Sequence, residues 1–125
     1  IVTVNGDNAD KTSIPKPYHG LRIHLNDGNN LFTEAFFYPL YGATRFVVND
    51  FDQDGYFDFT LISIFPDYEN SPELTLVYLE NLDAKRFNFQ PFTFKEANMT
   101  RWFLMDTGDF DEDGDVDIFL SALTY

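Results

Sequence analysis

The sequence predicts an all-β chain of antiparallel strands, arranged as two repeat units of four short strands each. Three observations predict it. Apolar residues fall in short runs rich in Val, Ile, Phe and Tyr, the composition of a pleated, half-buried surface. An acidic nine-residue pattern occurs twice, its first Asp at 50 and again 59 residues later at 109. Turn signals such as Asp27-Gly28 separate the runs.

Taken in order, the first unit reads as strands at 1–5, 21–26, 31–38 and 44–49, followed by its acidic loop. Leu21, Ile23 and Leu25 alternate with Arg22 and His24, the period of two expected of a strand with one buried face. The second unit reads as strands at 59–65, 74–81, 86–94 and 101–107, followed by the second loop. A further strand is expected at 118–125. The units are therefore 1–58 and 59–117, with 118–125 the first strand of a following unit. Because the chain opens on Ile-Val-Thr-Val, the kind of strand that follows each loop, a third acidic loop is expected just before Ile1.

The charge is as uneven as the strands are regular. Against 8 Lys and Arg stand 21 Asp and Glu in 125 residues, a formal −13. Such a chain lacks the basic face that phosphate binding needs, which excludes nucleic acid as a partner, and anionic membrane surfaces repel it. With 44% hydrophobic and 18% aromatic residues it is too apolar for a disordered acidic tail. No run approaches the roughly 20 apolar residues of a membrane span, and no export signal is visible in the chain as given. Cysteine is absent, which excludes disulfides, Cys-ligated zinc, iron–sulfur clusters and a thiol nucleophile.

Ten of the 21 acids lie in the two windows 50–58 and 109–117. They read D-F-D-Q-D-G-Y-F-D and D-F-D-E-D-G-D-V-D, sharing D-x-D-x-D-G-x-x-D with Phe second and an apolar residue eighth. Two carboxylates about 5 Å apart repel by roughly 3 kcal/mol at an effective dielectric near 20, so a converging set needs a cation between its members. Side chains at positions one, three and five converge, Gly at six allows the sharp turn, and the carbonyl at seven can face the ion. The first candidate site is Asp50, Asp52, Asp54, the Tyr56 carbonyl and Asp58. The second is Asp109, Asp111, Asp113, the Asp115 carbonyl and Asp117. A cage of several protein oxygens favours calcium over magnesium, which keeps its waters; zinc and copper would want His or Cys. The competing reading is a solvated acidic turn, which two copies with matching apolar positions disfavour.

An EF-hand fails on a named residue. Its twelfth position is a bidentate Glu between helices, whereas here Leu61 and Leu120 occupy that position in strand-like segments. Each loop is instead a turn device whose ninth-position Asp opens the next strand.

These loops, the strand after each, and the runs 20–26 and 77–81 resemble the FG-GAP-like, or VCBS-type, calcium-binding repeat, distantly related to the integrin α-subunit propeller. The resemblance covers nearly the whole chain. It implies blades of four antiparallel strands, two consecutive blades of a β-propeller, with calcium held in a loop between neighbouring strands at the blade edge. It also implies an extracellular, cell-surface or periplasmic setting. Segments 16–20 (Lys-Pro-Tyr-His-Gly), 22–27 and 65–68 (Phe-Pro-Asp-Tyr) resemble a subgroup of bacterial multi-blade proteins. The chain departs from the family in lacking a Phe-Gly or Gly-Ala-Pro signature, Gly42-Ala43-Thr44 being the nearest. A propeller needs about 4 to 8 blades, so two imply neighbouring blades or other copies of the chain as partners.

Other residues carry less. His19 and His24 lack a third ligand or a base partner and read as surface or hairpin residues. Trp102 and the alternating Phe87, Phe89, Phe92 and Phe94 read as packed sheet residues rather than a sugar platform, with Pro91 marking a bulge or edge. Asn98-Met99-Thr100 fits a glycosylation acceptor and carries little weight. Asp7, Asp10, Asp67, Glu69 and Glu73 fall in the loops after the first strand of each unit, where they would line one rim.

The function expected is therefore a non-enzymatic, two-calcium scaffold or adhesion module, with a carbohydrate or protein as ligand and no catalytic residue. The alternative is an accessory or catalytic part of a secreted calcium-dependent carbohydrate-active enzyme. An acid pair in a cleft outside the loops would favour that alternative.

Overall fold

The computed structural model describes residues 1–9, 11–12, 14–83 and 85–123. Asp10 and the last two residues of the strand expected at 118–125 lie outside that set. The described residues form nine strands: β1 (Val2–Asn5), β2 (Gly20–Asn26), β3 (Phe32–Pro39), β4 (Ala43–Asn49), β5 (Asp58–Ser63), β6 (Leu76–Asn81), β7 (Phe89–Thr93), β8 (Arg101–Gly108) and β9 (Asp117–Leu123). Every pairing is antiparallel. The strand expected at 74–81 starts late because Pro72–Thr75 forms a 3-10 turn, Pro72 standing where a missing N–H costs nothing. The strand at 86–94 is shorter than expected because Arg86 N–H closes a turn onto the Asp83 carbonyl.

The sheets are β1-β2-β3, β4-β5-β6-β7 and β8-β9. The chain is thus all-β and antiparallel, with sheets of three, four and two strands, and no closed ring is formed among the described residues. The complete four-stranded sheet begins before its acidic loop, with the strand that the sequence units place at the end of 1–58. Residues 50–57 wind back on themselves and close a hairpin in which Asn49 faces Asp58. In the same way Gly108 faces Asp117 across the second loop. The crossings between sheets are made at 40–42 and at 94–100.

Two apolar layers hold the three sheets together. Leu21, Ile23 and Leu40 from the first sheet side pack with Phe59, Leu61, Val77 and Leu79 of the second. Ile62 and Leu76, on the opposite face of the second sheet, meet Ala97, Trp102, Met105 and Leu120. All six residues of β5 are consequently buried, as a strand covered on both faces should be. Full burial of one such side chain contributes about 1.5–3 kcal/mol. Trp102 is a core residue whose indole N–H donates to the Ala97 carbonyl at 2.9 Å. Phe89 also packs inward, 4.8 Å from the Phe36 ring and 5.5 Å from Phe59. Phe92 and Phe94 on the same edge stay exposed, and Pro91 sits on β7, the edge strand, where its missing donor is tolerated.

His19 departs from the surface reading. It is buried, and its Nδ1 accepts the Gly42 N–H at 3.3 Å, tying the approach to β2 to the crossing between sheets. Gly42 has φ +68°, and a Cβ there would stand 2.6 Å from the Phe65 nitrogen. The close approach of two backbones at that point requires glycine.

Candidate metal centre

Both acidic loops fold alike, residue by residue. The fourth and sixth positions have positive φ: Gln53 +60° and Gly55 +93° in the first, Glu112 +62° and Gly114 +98° in the second. These left-handed residues wind the chain tightly, so that the Gly55 N–H donates to Asp50 Oδ2 and the Gly114 N–H to Asp109 Oδ2, each at 3.0 Å. The loops close on their ninth residue, where Phe51 N–H donates to Asp58 Oδ2 at 3.2 Å and Phe110 N–H to Asp117 Oδ2 at 2.9 Å. The ninth-position Asp opens β5 and β9 respectively.

This winding brings Asp50, Asp52 and Asp58 together, each offering an oxygen within 4.8 Å of the others, and Asp109, Asp111 and Asp117 likewise. Oxygens bound to one calcium at about 2.3–2.6 Å can be at most about 5 Å apart, so both triads have the span of a shared hard cation. The donors are all carboxylate oxygen, with no His beside them, which disfavours zinc and copper.

Asp54 and Asp113 stand outside the triads. Asp54 Oδ1 accepts the Tyr56 N–H at 2.8 Å, and Asp113 Oδ1 the Asp115 N–H at 3.1 Å. They fix the turn that carries the Tyr56 and Asp115 carbonyls. Leu61, at the EF-hand's ligand position, is fully buried in the core.

The two loops differ in how deeply they are anchored. Asp58 has no exposed surface and, besides Phe51, accepts the Asn81 N–H at 2.8 Å and the Tyr78 hydroxyl at 2.9 Å. The Tyr78 phenol is pushed well above its ordinary value by partial burial and by that hydrogen bond to Asp58. Asp117 is half-buried. In the second loop the Asp115 carboxyl is raised, first by the negative charge of Asp113; like charges crowd there without an opposing one. Sequence reasoning missed Tyr78 and Asn81, because neither lies near the loop in the chain; the register of β5 on β6 brings them there.

One atom stands apart. Asp50 Oδ1 is buried without a hydrogen-bond partner, and among the described residues the other such side-chain atoms are two threonine hydroxyls, Thr44 and Thr60. A buried carboxylate oxygen without a partner is costly, and this one belongs to the triad. Comparison with family models, with curated proteins and with solved structures finds no match to the chain.

Proposed function

We propose that the chain is a calcium-stabilised, non-enzymatic stack of β-sheets that serves as an extracellular scaffold or binding module. Its repeats are read as FG-GAP-like blades. The observation that carries the metal reading is the buried, unpartnered Asp50 Oδ1 inside a triad of carboxylates. Calcium at Asp50, Asp52 and Asp58, and at Asp109, Asp111 and Asp117, would neutralise the crowding and pin each hairpin. The outer face of β8–β9 leaves Leu104 and Phe119 exposed, which supports a neighbouring blade or another copy as a partner.

The enzyme alternative gains a cleft but not its chemistry. Asp67 and Glu69 line a pocket outside the acidic loops. Asp67, however, is held below its ordinary value by the Asn70 side chain and by backbone N–H groups, whereas a proton-donating carboxyl needs the opposite shift.

The test is thermal unfolding in chelator and in millimolar calcium. Each ion bound at a hundred times its Kd adds about 2.7 kcal/mol, so the melting temperature should rise by several degrees with calcium. Identical melts in the two conditions would overturn the reading.

A further inference from the structure

A pocket of about 410 Å³ opens between the loop that enters β2 and the loop that leaves β5. That volume lies in the range of small-ligand sites. It is separate from both acidic triads, and what it binds does not depend on the metal reading.

Its floor is built from buried, fixed groups. His19 accepts the Gly42 N–H there, the Gly42 carbonyl accepts the Ile64 N–H at 3.0 Å, and the Ser63 hydroxyl donates to the Tyr41 carbonyl. Its wall is the segment 65–70. The Tyr68 hydroxyl donates to the Ile64 carbonyl at 2.8 Å, and Asp67 closes the turn by accepting the Asn70 side-chain amide at 2.8 Å and the backbone N–H groups of Glu69 and Asn70.

These bonds decide what the lining offers a ligand. The Tyr68 hydroxyl and one Asn70 N–H are turned onto the protein, leaving the Asn8 amide and the Tyr41 hydroxyl as neutral polar groups, while the carboxylates of Asp67 and Glu69 supply negative charge beside the rings of Tyr41, Phe65 and Tyr68. Among the described lining residues are two carboxylates and no Lys or Arg; the Lys16 ammonium is not one of them and donates to Asn8 Oδ1 at 3.4 Å. A neutral polyol carries no charge to balance two carboxylates, whereas an alkylammonium brings a positive charge and three donors and is attracted to aromatic faces as well. One of the lining rings, Tyr68, already holds a cation within this range, the Arg101 guanidinium lying 5.3 Å from its centre.

We propose that this pocket binds a primary alkylammonium group, with Asp67 and Glu69 receiving the charge and Phe65 and Tyr41 covering the stem. Two sources share this chemistry, a free amine and the lysine side chain of a polypeptide.

The test is a titration of the full chain in millimolar calcium, followed by amide NMR shifts. The probes are n-butylammonium, its uncharged isostere 1-butanol, methyl β-glucopyranoside and Nα-acetyl-lysine amide. Butylammonium should produce saturable shifts at Tyr41, Gly42, Phe65 and Asp67, with butanol at least about tenfold weaker. Asp67→Asn should weaken butylammonium about tenfold. Should that variant fail to fold, Glu69→Gln decides, because the exposed Glu69 side chain closes no turn; a loss of about threefold is expected. Tighter binding of acetyl-lysine amide than of butylammonium assigns the site to a polypeptide lysine, and the reverse assigns it to a free amine; both support it. The proposal is overturned if butanol matches butylammonium, if the glucoside binds instead, if the shifts fall mainly on 109–117, or if neither variant weakens binding.

Discussion

The Tyr78 hydroxyl donates to Asp58 Oδ2 at 2.9 Å, across 20 residues of sequence and one pair of neighbouring strands. Through this bond the last residue of the first acidic loop is anchored in the sheet, with Asn81 N–H on the other carboxylate oxygen. Removing one partner of a buried, charge-assisted hydrogen bond costs about 1.5–3 kcal/mol. Tyr78→Phe should therefore lower the unfolding free energy by about 2 kcal/mol in urea denaturation with chelator present. Asp58→Asn should cost more than Asp117→Asn, since Asp58 is fully buried and its counterpart half-buried. Equal losses at the two positions would show that the sheet does not anchor the first loop more strongly.

Gly42 and Gly114 both have positive φ but differ in surroundings. An added Cβ at Gly42 meets the Phe65 backbone at 2.6 Å, whereas at Gly114 nothing lies within 4 Å. A left-handed alanine costs about 1–2 kcal/mol on conformation alone. Gly114→Ala should cost about that much, and Gly42→Ala about 1–3 kcal/mol more through the clash. Chemical denaturation of the two variants makes the comparison, and a smaller loss at Gly42 would contradict the close approach.

Strand content was legible because alternation and β-branched residues act locally, and all nine expected strands are present within a few residues of their predicted ends. Asp50, Asp52 and Asp58 of the expected first site lie together, whereas Asp54, expected to converge with them, accepts the Tyr56 N–H instead. Sheet membership was less legible, since the repeat was cut after each acidic loop whereas the hydrogen bonds run across it. The burial of His19 and the contact of Tyr78 with Asp58 were not legible, because both depend on which strands become neighbours. Of the acids expected to share one rim, Asp67 and Glu69 line the pocket, whereas Asp7 and Glu73 are not among its lining residues.

Acid should weaken the fold through the Asx turns. The carboxyls of Asp27 and Asp67 lie below their ordinary value of 3.8, Asp27 chiefly through the Asn29 backbone N–H and Asp67 chiefly through the Asn70 side chain. A carboxyl depressed in the folded state contributes stability that is present above its unfolded pKa and is lost as pH falls through the folded one. The decline should thus begin near pH 4 and steepen below it. Asn70→Ala removes the largest cause at Asp67, so its stability should fall less steeply with acid than that of the parent chain. Parallel pH profiles for the two proteins would rule the effect out.

The two acidic loops touch where Gln53 Nε2 meets the Gly114 carbonyl at 3.4 Å. They are nonetheless built from separate hairpins, β4–β5 and β8–β9, with separate carboxylates. Calcium calorimetry on the proposed sites should therefore count two ions for the parent, one each for Asp52→Asn and Asp111→Asn, and none for the double variant. An exposed hydrogen bond of this length is worth less than about 1 kcal/mol. Gln53→Ala should accordingly leave both ions bound and change either affinity by less than about fivefold. Loss of both ions from a single Asp52→Asn change would mean that the loops hold one shared cation, and the two-site reading would fall.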